Sequence, residues 1–300
     1  MKFNQKHYKW NTFLDLRNDS NDFSNSSVVI IPIPYDGTAS YKSGARHGPG
    51  AIINSSKELE TYDIEMKKDI SETGIFTTPE ISPLANGPKD MIMKIKTTID
   101  NLKLKNQIAG IIGGDHSVTI GSVQSAIKRF PDLSILYLDA HADLRNTYMG
   151  TKWGHASVAR RLKTICKVIQ IGVRSISSEE IDFISKSKSE NEIFFWKQRK
   201  SNLEENLKVA LKQLSQQVYI SIDLDVLDPS IMSAVGNPEP GGMSWEEINL
   251  IIKETARNHT IVGFDVTELS PNEGPESCSF TAAKLIYKLV GFATAKNKKL

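Results

Sequence analysis

The strongest constraint on the fold of this chain is a set of short apolar, β-branched runs that lack polar/apolar alternation. They are VVIIPI (28–33), IAGIIGG (108–114), LSILYLD (133–139), KVIQIGV (167–173), EIFFW (192–196), VYISIDLD (218–225) and TIVGFDV (260–266). A strand with one wet face shows a period of two, whereas a run that is apolar throughout needs cover on both faces. Between the runs lie segments with helical spacing, at 89–105, 117–129, 155–163, 202–214, 244–258 and 281–292. This alternation predicts a mostly parallel sheet with helices on both faces. The Pro/Gly-rich pieces GPGAI, NGPKD and GNPEPGG are short and fall between elements, so they read as loops, and no repeat or low-complexity block is present. A single domain over 1–300, with 1–27 as an amino-terminal extension, is the expectation.

Charge and cysteine usage narrow the function classes. The formal net charge is +2, from 37 basic and 35 acidic residues mixed along the chain, which leaves no electrostatic footprint for nucleic acid or an acidic membrane. The KNKK run close to the carboxyl end reads as a solvated tail. Cys166 and Cys278 are too few for a disulfide framework. Neither a signal-peptide pattern in the first thirty residues nor an apolar stretch of membrane-spanning length is found, so a cytoplasmic protein is expected.

Four of the apolar runs end in acidic or metal-type side chains. His116 follows IAGIIGG; Asp139, His141 and Asp143 close LSILYLD; Asp223 and Asp225 close VYISI; Glu268 closes TIVGFDV. In open parallel sheets ligands bind outside the carboxyl ends of the strands, so these groups converge on one site if their strands are neighbours. Packed carboxylates need compensating cations, because burial and like charge both penalise the ionised form. Four aspartates balance two divalent ions, and a nitrogen/oxygen donor set without thiolate suits manganese, with zinc, cobalt or iron as chemical alternatives. DAHAD (139–143) is the most specific piece. In GGDHS, Gly113 and Gly114 could serve only a tight turn and His116 a helix start, and the aspartates before Pro229 could be turn formers.

GGDHS, DAHADLR, SIDLDVLDP and FDVTELSP together resemble the signature segments of the ureohydrolase family, the arginases, agmatinases and their relatives. The segment IPYDGTASYKSGARHGPGAI resembles the amino-terminal part of agmatinases of the prokaryotic type, and the likeness runs from about residue 28 to 292. It implies a three-layer α/β/α fold around an eight-stranded, mostly parallel sheet, two Mn2+ per chain, and a trimer or hexamer. Carried over by position, it implies His116, Asp139, Asp143 and Asp223 as ligands of one ion. His141 and Asp225, with Asp139 and Asp223 bridging, would hold the other. His155 would be a non-ligand proton shuttle, Asp143 the donor to the leaving amine, and Glu268 the carboxylate that orients a guanidinium. The chemistry is consistent: a hydroxide bridging the ions attacks the poorly electrophilic guanidinium carbon, and Glu268 offers paired, charge-assisted hydrogen bonds.

Substrate is argued from departures. Arginases carry asparagine at the position of Arg145 and acidic residues after the strand ending near Gly172, where this chain has RSISS (174–178). Both departures point away from an amino-acid substrate and toward agmatine, whose hydrolysis gives urea and putrescine, a step of polyamine biosynthesis. Aminopropylagmatine and guanidinobutyrate stay open, since Arg145 is able to meet a carboxylate. A two-metal phosphoesterase would be repelled at Glu268, and a non-enzymatic relative would lack a ligand. His47, before what Gly48 and Pro49 mark as a helix entry, reads as a loop histidine, and His7 and His259 are assigned no role; Trp153 is either a wall of the site or packing; Asp115 and Asp265 are expected to support by hydrogen bonds, and Cys166 to be core.

Overall fold

The computed structural model describes residues 11–16, 20–196 and 202–295; His7 and the KNKK run lie outside them. Eight strands form one sheet in which every pairing is parallel. In chain order the strands are β1 (Val28–Ile33), the two-residue β2 (Tyr62–Asp63) and β3 (Lys68–Asp69), β4 (Ile75–Thr77), β5 (Ile108–Gly113), β6 (Ser134–Leu138), β7 (Lys167–Ile171), β8 (Ile193–Phe194), β9 (Gln217–Asp223) and β10 (Thr260–Thr267). β2 and β3 make a separate antiparallel pair, and the sheet order is β4-β1-β5-β10-β9-β6-β7-β8.

The strand interiors are buried, as a sheet covered on both faces requires. Within β6, Ile135 and Tyr137 join one apolar cluster while Leu136 and Leu138 join another, so alternate residues feed opposite layers. Helices Gly48–Ser56, Leu203–Leu211, Trp245–Asn258 and Ser277–Ala293 contribute to the Leu136 side. Helices Pro88–Asn101, Val118–Arg129, Val158–Leu162 and Ser178–Ser187 supply the opposite side. Each fits by its own pattern. Trp245–Asn258 buries Ile248, Ile251, Ile252 and Thr255, a single stripe at helical spacing. Its start is fixed by Ser244, whose hydroxyl accepts from Glu247 N while Ser244 N donates to Glu247, a reciprocal cap that contributes about 1 kcal/mol.

The three-layer α/β/α architecture is therefore present, with adjustments. β4 and the helices Gly48–Ser56 and Ser178–Ser187 are elements the periodicity did not predict. The segment expected as a helix over 155–163 is a 3-10 turn, His155–Ser157, followed by the short helix Val158–Leu162. Of the amino-terminal segment, Phe13 and Leu14 are buried in the core, Phe13 N donating to Thr77 Oγ1 and Leu14 N to Ser56 Oγ.

Candidate metal centre

β5, β10, β9 and β6 are consecutive across the middle of the sheet, and their carboxyl ends carry the acidic and histidine residues. The register aligns Leu138 with Ile222 and Asp223 with Thr267, so Asp139 leaves its strand level with Asp223 and Glu268 one residue beyond. β1 and β7 flank this group and bring in the loops at 36–40 and 172–177. Neighbouring parallel strands thus turn four separated sequence segments into one site.

Two triads share one carboxylate: His116, Asp139 and Asp223 form the first, and Asp139, His141 and Asp225 the second. His116 Nδ1 lies 3.0 Å from Asp139 Oδ2, 3.2 Å from Asp223 Oδ2 and 3.6 Å from Asp143 Oδ2, with Tyr137 Oη at 3.0 Å. An imidazole nitrogen has one lone pair or one N–H, so it can satisfy one of four such oxygens. Asp139 Oδ2 is buried and has no hydrogen-bond partner. Oxygens crowded round one nitrogen, with an orphaned carboxylate oxygen among them, fit a divalent cation. His141 Nδ1 lies 2.8 Å from Asp225 Oδ2 and 3.7 Å from Asp139 Oδ1. Asp143 belongs to neither triad; its Oδ2 accepts a 2.7 Å bond from the Tyr137 hydroxyl.

The electrostatics carry the same message. Burial pushes Asp139 well above the usual carboxylate range, and Asp143, Asp225 and Asp223 push it further. Asp223 rises to about 7 through burial and the neighbouring Asp225. Burial also raises Asp143 and Glu268, the latter helped by Asp223 and Asp115. Burial alone would lower both histidines. The adjacent Asp139 and Asp223 carboxylates instead raise His116 well above its ordinary value, and Asp225 carries His141 to about 11. In the absence of metal the cluster holds protons where cations would go.

The residues here match a known pattern along their whole length. The Arginase family model matches residues 26–291. An N(1)-aminopropylagmatine ureohydrolase of a Synechocystis species is 32% identical, with 93% of each chain covered. The agmatinase of Pyrococcus horikoshii is 33% identical over 95% of this chain and 98% of its own. The crystal structure of an agmatine ureohydrolase of Thermoplasma volcanium superposes with a TM-score of 0.84 at 27% identity, covering 96% of both chains. This chain belongs to the arginase family. It is a ureohydrolase, an enzyme that hydrolyses guanidino groups.

Beside the triads this arginase-family chain has a cavity of about 350 Å³, lined among others by Asp143, Arg145, His155, Asp223, Asn237 and Glu268. Glu268 Oε1 accepts a 2.7 Å bond from His116 N, and Glu268 N donates to Gly114 O. Glu268 and Asp143 both have left-handed backbone, at φ 69° and 52°. That conformation is uncommon for side-chain-bearing residues and costs on the order of 1 kcal/mol or more at each. Gly114 is more than a turn former: a Cβ there would lie 2.0 Å from Tyr35 O. The Arg145 guanidinium sits over the Tyr148 ring, 5.0 Å from its centroid.

Asp115 accepts from Thr38 and Ser117, and Asp265 Oδ1 accepts from Ser221, whose hydroxyl is 2.9 Å from His116 Nε2. Trp153 packs against the cluster around Leu144 and Val158 and is not part of the cavity wall. Cys166 is partly buried beside the same cluster, and burial pushes its thiol to about 12. His47 is exposed at the start of helix Gly48–Ser56, and His259 Nδ1 lies 2.8 Å from Ser215 O.

Sequence reasoning overlooked Tyr137, whose ring stacks on His116 at 4.6 Å between centroids. The available signal was an aromatic hydroxyl two residues before Asp139, on the same side of a strand otherwise aliphatic. It also overlooked Arg174, which donates to the carbonyls of Asp225 and Glu239 and so ties the ligand-bearing loop to the loop at 237–241.

Proposed function

We propose that this ureohydrolase acts on agmatine, bare or carrying an aminopropyl group, and that His116, Asp139, Asp143, Asp223, His141 and Asp225 hold two Mn2+ ions. The observation that carries the metal part is the pair of triads sharing Asp139, with its orphaned buried oxygen. Divalent ions at such a centre supply charge compensation and activate water near neutral pH. Glu268 is held by the His116 amide through one oxygen, which leaves its carboxylate edge for the guanidinium in paired, charge-assisted bonds. Water adds to the guanidinium carbon, the bond from that carbon to the alkyl nitrogen breaks, and urea and an amine leave. Asp143, steadied by Tyr137, is the donor of the proton that the departing nitrogen needs. His155, on the cavity wall, passes protons between solvent and site.

The substrate class rests on the cavity mouth. Among its lining residues, Ser177 caps helix Ser178–Ser187 with Glu180, and Glu180 also accepts from Leu144 N, so both groups already serve the fold. The other acids in the lining, Asp143, Asp223, Asp225 and Glu268, are the ones assigned to the metal ions and the guanidinium, which leaves none for an α-ammonium. The aminopropylated substrate is favoured by the name of the Synechocystis relative, the bare one by that of the Pyrococcus relative. A trimer or hexamer in the cytoplasm, feeding polyamine synthesis, completes the proposal.

The test is urea release, with added manganese, from agmatine, aminopropylagmatine, arginine and guanidinobutyrate. One of the first two should exceed arginine at least about a hundredfold in kcat/KM, roughly 2.7 kcal/mol of differential transition-state stabilisation. Comparable turnover of arginine would overturn the substrate reading, and guanidinobutyrate as the best substrate would make Arg145 a carboxylate clamp.

A further inference from the structure

The loop after β1 reaches into the site through two hydroxyls. Thr38 Oγ1 lies 2.8 Å from Asp115 Oδ2, 3.0 Å from the backbone N of His155 and 3.2 Å from His155 Nδ1. Ser40 Oγ lies 3.2 Å from His155 Nε2 and lines the cavity. Asp115 itself is fully buried. Its Oδ2 also accepts from Thr38 N, and its Oδ1 accepts from both N and Oγ of Ser117.

Counting protons along this chain decides the direction of each bond. A threonine hydroxyl has one hydrogen and two lone pairs. Its hydrogen belongs to Asp115: an unprotonated contact between two oxygens at 2.8 Å, one of them a buried carboxylate, would be repulsive. One lone pair takes the His155 amide, which can only donate. The remaining lone pair faces Nδ1, and a lone pair can be satisfied only by an N–H. Nδ1 therefore carries hydrogen in the neutral ring, and Nε2 carries the lone pair, with the Ser40 hydroxyl as its donor.

We propose that Thr38, anchored by Asp115, is a positioning residue that fixes His155 in the Nδ1–H tautomer and so makes Nε2 its proton-exchanging nitrogen. Nε2 accepts a proton to give the imidazolium and returns it on the cavity side, and Nδ1–H stays on Thr38 throughout. The opposite tautomer would present Nε2–H to Ser40 and set two lone pairs against each other at Thr38. An orienting group acting through a neutral histidine is a general way of choosing which nitrogen does acid–base work. The inference rests on the shuttle role given to His155 above.

Neutron diffraction from deuterium-exchanged crystals of the metal-loaded protein, at a pH where the ring is neutral, reads the tautomer directly. Density for deuterium on Nδ1 and none on Nε2 is expected. Thr38→Val should move the deuteron to Nε2 or split it. It should lower kcat for urea release about tenfold or more while KM and metal content by elemental analysis stay within about twofold. Thr38→Ser should restore both readouts. Deuterium on Nε2 in the unaltered protein overturns the proposal without any variant having to fold, as does an unchanged tautomer in a folded Thr38→Val protein. Should His155→Ala turn over at the full rate while the Nδ1–H tautomer is present, the shuttle reading fails and the tautomer assignment stands.

Discussion

At the scale of single residues, two histidines fourteen positions apart in the chain, His141 and His155, differ by their surroundings. His141 faces the carboxylates of Asp225 and Asp139, whereas His155 faces the hydroxyls of Thr38 and Ser40. A carboxylate cluster invites a cation, and a hydroxyl pair invites a proton. His141→Asn should therefore reduce bound metal, to about one ion per chain by elemental analysis, because an amide is a weaker ligand than imidazole. His155→Ala should keep the full metal content and lose turnover about a hundredfold, with partial rescue by added imidazole. Loss of metal from the His155 variant would place it among the ligands. Arg145 sits over Tyr148 at the cavity wall, so Arg145→Ala should change the ranking of guanidine substrates in kcat/KM. Glu268→Gln should weaken all of them alike. The acidic ligand candidates were legible in the sequence because each closes an apolar run. Tyr137 left only its spacing from Asp139 as a signal, and Thr38 and Ser40 left none, because their roles come from which strand ends and loops meet.

Among the elements, the mostly apolar strands in the body of the sheet were readable from composition alone, because a central parallel strand is covered on both faces. β4 was not, since Ile75–Thr77 is three residues long at the sheet edge. Helix Gly48–Ser56 was legible only at its start, where Gly48 and Pro49 look like a helix entry because proline suits a first helical turn; GPGAI as a whole reads as loop. Strand order was beyond reach: nothing local says that β10 lies between β5 and β9. That placement gives Gly114 its importance, because the glycine accepts from Glu268 N while the Tyr35 backbone presses against it. Gly114→Ala should cost about 3 kcal/mol in chemical denaturation, as overpacking against rigid backbone does. It should also raise KM for every guanidine, since Glu268 is displaced with it. A variant as stable as the parent would show that the 33–38 loop yields freely.

For the whole molecule, the site's collected charge should govern how stability depends on pH and metal. Without ions, Asp223 titrates at about 7 against an ordinary value of 3.8, and His141 at about 11 against 6.5. Both are raised in the folded chain, so each contributes stability that is fully present below its unfolded value and is lost as pH climbs through the folded value. The window for Asp223 opens near pH 4 and closes near 7, and that for His141 opens near 6.5 and closes near 11. Asp225 is lowered by His141, despite its burial, and works the other way, but its contribution is complete once the pH has passed the ordinary carboxylate range. Across the neutral and alkaline region Asp223 and His141 act in the same direction, as do Asp139, Asp143, Glu268 and His116, which are raised too, and the metal-free protein should lose thermal stability as pH rises from about 5.5 to about 9. Divalent ions reverse the slope. They bind deprotonated ligands, so their affinity grows over the same window in which the protons leave. The stabilisation by ligand, RT ln(1 + [L]/Kd), should widen with pH accordingly. Calorimetric scans with chelator and with excess manganese at a series of pH values measure both curves. Metal-free protein that gains stability toward pH 9 would mean that the aspartates are already compensated by the protein alone, and the case for cations at Asp139 would fall with it.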